Sequence, residues 1–213
     1  MLILLTHKRY YLPLLSIYFL TLPDATAQQI GLWSGIAYIS EVFLGLPSGY
    51  ISDRIGHKNM LIFSKASMLI AVGILIFATS LWSFIIAAIL TSLSWATLSS
   101  TNTAMLHNTV ETLGRGDEFT KINLHQSSYA ALFGAGLFVL LPLFVEISIR
   151  APFVVSFVID VIGLVIAFTL TTPPVQKYKD ENSVPLQTIL GQLWKRNFFP
   201  VVIYITSIGS VVL

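Results

Sequence analysis

The chain has 213 residues, 55% of them hydrophobic and only 10% charged, with a mean hydropathy of +0.80. A soluble domain carries about a quarter charged residues, so this composition argues against a water-soluble enzyme or nucleic-acid binder. The net charge of +2 is too small for a nucleic-acid footprint, and the lack of cysteine excludes disulfides, zinc–thiolate centres and thiol catalysis.

At roughly 30 residues per span and loop, the length holds about seven membrane spans. In chain order, the apolar runs predict helices over 10–23, 30–52, 60–81, 82–109, 122–146 and 151–171, with a seventh run starting at Phe198 and still open at Leu213. Only helices or closed barrels satisfy every backbone amide in lipid, and the runs lack the alternation of a barrel. The expected fold class is an all-α membrane protein. Its organisation is a six-helix half over 1–172, a charged linker over 173–197 opened by Pro173-Pro174, and the start of a seventh helix over 198–213. An alternative for the first segment is a signal peptide, with His7-Lys8-Arg9 ahead of an apolar stretch and Ala25-Thr26-Ala27 as the cleavage pattern.

Charge asymmetry orients the helices. With six spans alternating in direction, every one of the 12 Lys and Arg residues except Arg150 falls on one side. The positive-inside rule makes that side cytoplasmic and places the amino terminus there.

Between helices 2 and 3 stands Gly49-Tyr50-Ile51-Ser52-Asp53-Arg54-Ile55-Gly56-His57-Lys58. This stretch resembles the major facilitator superfamily signature G-x-x-x-D-R/K-x-G-R-R/K in the same loop, departing only at His57, where the family has arginine. Leu113–Lys121 and Phe157-Val158-Ile159-Asp160 are similar to the helix 4–5 loop and the helix 6 pattern of drug-efflux-like members. The resemblance implies a half built as a 3+3 inverted repeat, working by alternating access against a second half. It implies a conformational motif of Gly49, Asp53, Arg54, Gly56 and Lys58, with Asp53 as a latch onto the other half. By their own chemistry, Gly49 and Gly56 allow helices 2 and 3 to approach and turn, while Arg54 and Lys58 favour anionic headgroups.

Charges at bilayer depth are costly and face a cavity or a partner. Glu41 lies 12 residues before Asp53, ~18 Å deeper along a helix, and is the candidate coupling carboxylate, because burial would let it load and release a proton. Asp160, midway along helix 6, reads as structural. Asn102 belongs to a Ser/Thr/Asn stretch in helix 4 that lines a polar path or serves as interhelical glue. The acidic residues and arginine of proton-coupled drug antiporters are missing from that region, which weakens proton-coupled drug export in particular. Lys65 is expected to snorkel to the cytoplasmic surface, and Glu146 and Arg150 to pair if the helix runs that far. Gly31, Gly35, Gly45 and the Ala/Gly cluster of helix 5 read as close-packing positions.

No phosphate-binding loop, G-x-S-x-G or H-E-x-x-H is present. The expectation is therefore a non-enzymatic transporter without cofactor or metal, in a bacterial plasma membrane, with a small solute or drug as substrate. Its partners would be the bilayer and a second half or second copy. The alternative is a truncated, non-transporting or accessory membrane protein.

Overall fold

The computed structural model describes residues 11–170 apart from Asp24, and among these not the side chains of Leu12, Pro13, Leu46 and Asp53. The expected linker over 173–197 and the seventh helix over 198–213 lie outside the described residues. Those described fall in the first of two compact units, Met1–Pro173.

They form six α-helices: α1 (Leu12–Leu20), α2 (Ala27–Ile55), α3 (His57–Ile76), α4 (Leu81–Thr112), α5 (Phe119–Leu140) and α6 (Ala151–Thr169), with short 3-10 segments at Gly116–Glu118 and Leu141–Glu146. Among the described residues, four spans are long and apolar enough to cross a membrane: α3, α4, Gly116–Glu146 and α6.

Local chemistry explains the boundaries. Thr26 and Gln29 form a reciprocal capping box at the start of α2, with Thr26 N–H to Gln29 Oε1 at 3.0 Å and Gln29 N–H to Thr26 Oγ1 at 3.4 Å. Gly56 alone separates α2 from α3. Its φ of +95° suits glycine, and it serves both helices, its N–H bonding Ser52 O at 3.0 Å and its carbonyl accepting from Met60 N–H at 3.1 Å. Gly114, at φ +68°, closes α4 in a Schellman arrangement, with its own N–H on Glu111 O and that of Arg115 on Val110 O, both 2.9 Å. α5 stops at Leu140 rather than 146, because Pro142 cannot donate to the helix ladder. Residues 147–150 then form no helix, so the expected Glu146–Arg150 pairing loses its geometry.

α4 packs against α2 on one side and α3 on another, and α6 packs on α3. The main apolar cluster holds Tyr11, Tyr18, Phe19, Trp33, Val72, Phe84 and Phe153. Phe84 is its hub, with ring centroids 4.9 Å from Phe19, 5.6 Å from Tyr18 and 6.3 Å from Trp33. The Tyr18 hydroxyl donates to Ala78 O at 3.0 Å, tying α1 to the end of α3.

The distribution of polarity is inverted relative to a soluble domain. Ser48, Ser52, Ser64, Lys65, Thr101 and Asp160 are buried, while Ile39, Phe43, Phe77, Trp82, Leu132, Val139, Ile162 and Phe168 are exposed. An apolar exterior of this extent suits hydrocarbon rather than water. Of the small-residue cluster of α5, only Ala130 is buried among the described residues.

Candidate functional site

The turn after α2 is held from below by a chain of hydrogen bonds. Asn108 Nδ2 on α4 lies 3.1 Å from His57 Nε2, His57 Nδ1 lies 3.0 Å from Ser52 Oγ, and Ser52 Oγ lies 3.0 Å from Thr101 Oγ1. An amide nitrogen can only donate, so Nε2 accepts. The ring proton then sits on Nδ1 and donates to Ser52 Oγ, which shares a further hydrogen bond with Thr101 Oγ1. Ser52, His57 and Thr101 are all buried. The one residue that departs from the signature is thus a neutral tie between the turn and α4. Sequence reasoning recorded His57 as a departure and missed this role. Asn108, in the polar stretch one helix away, was the available signal.

The remaining motif residues occupy the same turn. The Arg54 guanidinium stacks over the Tyr50 ring at 4.6 Å, Lys58 is half-buried in the first turn of α3, and Asp53 lies in the last turn of α2, its side chain outside the description. Among the described residues, Gly49 has no close neighbour. A Cβ there, or at Gly31, Gly35, Gly45 or Gly56, would meet nothing within 4 Å, because α2 makes its close contacts through the serine-bearing face that turns to α4. Gly56 keeps its role through φ alone.

That α2–α4 seam is lined with neutral hydroxyls. Ser92 donates to Ala37 O at 2.8 Å, and Ser48 Oγ stands 2.8 Å from Gly45 O, 3.2 Å from Ala96 O and 3.3 Å from Ser100 Oγ. At about 100° per residue, positions 37, 41, 48 and 52 share one face of α2. Glu41 therefore belongs to this seam, half-buried. Asn102, also half-buried, lies on a different side of α4 from Ala96 and Ser100. The interhelical-glue reading of the polar stretch holds at Ser100, Thr101 and Asn108, whereas Ser99 and Thr103 bond carbonyls of their own helix.

The buried charges meet elsewhere. Lys65 Nζ donates to Asp160 Oδ1 at 3.2 Å, with both side chains 3% exposed. The expected snorkelling of Lys65 does not occur, because an acidic partner stands at its own depth. Lys65 is eight residues past the start of α3 and Asp160 nine before the end of α6, or about 12 and 14 Å from the same end of two antiparallel helices. Each charge alone costs about 2.5–3.5 kcal/mol at mid-bilayer; together they offset one another. Gly163 lies against the lysine stem: a Cβ there would touch Lys65 Cε and Nζ at 3.4 Å. Asp160 thus pairs with Lys65 of α3, while Glu41 shares the face of α2 that carries Ser48 and Ser52.

Apolar helices enclosing buried polar residues, with a charged glycine turn at one end, define an integral membrane protein. The family model described as Major Facilitator Superfamily matches residues 2–213. The chain belongs to that superfamily and is a membrane transporter of the major facilitator type, a family of transporters rather than enzymes. No curated protein and no solved structure matches it.

Proposed function

We propose that the chain forms the amino-terminal six-helix half of a secondary transporter that moves a small solute or drug by alternating access. The observation that carries this reading is the signature turn, cross-tied to α4 through Ser52, His57 and Asn108. A turn so braced can deliver Asp53 and Arg54 as a rigid unit to a second half or a second copy, with Asp53 as the latch. Gly49 and Lys58 complete the motif, Glu41 carries the coupling proton, and Asn102 contributes to the solute path. The charge asymmetry supports a cytoplasmic amino terminus in a bacterial plasma membrane.

The test is uptake or efflux by vesicles reconstituted with the 213-residue chain, under an imposed proton gradient, with ethidium as a cationic probe beside neutral sugars and amino acids. Flux above that of empty vesicles for any of these supports transport by this chain. Flux equal to empty vesicles for all of them rejects it and leaves the accessory, non-transporting reading.

A further inference from the structure

Pro47 stands inside the 29-residue α2. It has no N–H to offer the helix ladder, and its ring crowds the preceding turn. In a membrane such a break is tolerated where serine or threonine side chains serve the backbone instead. Ser48 does so here, its buried hydroxyl lying 2.8 Å from Gly45 O of the same helix.

The same oxygen also reaches α4, 3.2 Å from Ala96 O and 3.3 Å from Ser100 Oγ. A hydroxyl carries a single proton, so Ser48 donates either within α2 or across to α4. Ser100 faces the same choice, with Ala96 O at 3.2 Å and Thr97 O at 3.1 Å in its own helix. The contact at this level can therefore open by rotation of two hydroxyls, and neither is left without an acceptor. One turn further on the situation differs. The buried Ser52 hydroxyl meets His57 Nδ1 and Thr101 Oγ1, and among the described residues it bonds no carbonyl of its own helix. Parting α2 from α4 there strands buried donors, which is costly.

We propose that Pro47 and Ser48 form a hinge dividing α2 into two limbs. The first, residues 27–46, tilts on α4; the second, residues 48–55, stays fixed to α4 together with the signature turn. Glu41 rides on the first limb, six residues or about 9 Å from the proline. Tilting therefore changes what that carboxylate faces while the turn keeps its place. Leu32 lies 15 residues from the proline, or about 22 Å, so a change of about 15° at the hinge moves it about 6 Å. The inference concerns the mechanics of α2 and does not depend on the solute carried.

The test reads separations between nitroxide labels by pulsed electron paramagnetic resonance in bilayers. The labels are attached to a keto amino acid, which leaves cysteine chemistry free in a chain that has no cysteine. One pair, at Leu32 and Phe77, reports the first limb against the end of α3; the other, at Ile55 and Glu111, reports the second limb against the end of α4. All four sites are exposed. The first pair should give a broad distribution on the scale of that displacement, and the second a single narrow one. Pro47→Ala restores the missing amide and should collapse the first distribution to one narrow separation. A disulfide between Ser48→Cys and Ser100→Cys, whose hydroxyl oxygens are 3.3 Å apart, pins the pivot and should leave the first distribution broad. The hinge is overturned if the first pair is as narrow as the second, if both are equally broad, or if Pro47→Ala changes nothing. It is equally overturned if the disulfide freezes the first pair, because α2 then moves as one body.

Discussion

Two of the seams between the described helices hold them together in different ways. Between α2 and α4 lie neutral hydrogen bonds of Ser48, Ser52 and Ser92, two of them from serine to a backbone carbonyl. Between α3 and α6 lies apolar packing crossed by a buried ion pair. A neutral hydroxyl contributes about 0.5–1.5 kcal/mol and fails gently; a buried charge deprived of its partner fails severely. The first seam therefore tolerates single losses and suits a surface that rearranges. The second holds one arrangement.

The contrast is broken most sharply by removing one charge. Lys65→Met alone breaks the buried pair and should destabilise by about 3–5 kcal/mol, read as a lowered melting temperature in detergent and reduced yield from the membrane. A loss no larger than that of a serine mutant would erase the distinction between the seams. Gly56→Ala comes next, because φ of +95° strains any L side chain by about 1–3 kcal/mol; the alanine protein should melt lower although its methyl has open space. Ser52→Ala should cost about 1–3 kcal/mol by orphaning the His57 Nδ1–H, while Ser92→Ala, which leaves only a helix carbonyl without its extra donor, should cost less. Equal melting shifts for the two serines would mean that the network adds nothing to its separate bonds. At the bottom of the scale stands Glu118→Gln. Glu118 meets Arg115 in an exposed pair, which water screens, so no measurable change in melting is expected.

Much of the fold was legible in the sequence. Apolar runs between charged clusters located the six described helices, and the glycine signature located the α2–α3 turn at Gly56. What escaped was governed by pairings between distant segments. Lys65 was taken for a snorkelling residue because it was measured against the surface and not against Asp160, although both lie at matching depth in neighbouring antiparallel helices. α5 ends at Leu140, short of the apolar run that reaches 146, because Pro142 supplies no amide donor. Gly49 was given a packing role from its spacing, whereas the face of α2 that meets α4 is decided by Ser48 and Ser52. Glu41 lies in the interior of α2; the seam on its face is evident only from the bonds of Ser92 and Ser100 across it.

Proton-coupled movement of solute tests the transport reading most directly. Vesicles holding the chain are loaded with the pH dye pyranine and exposed in turn to ethidium, a neutral sugar and an amino acid. The account predicts that at least one solute changes the internal pH with the unaltered protein, and that Glu41→Gln, folded and equally abundant, abolishes the change. No signal above empty vesicles for any of the solutes, or a signal that Glu41→Gln leaves intact, would contradict it.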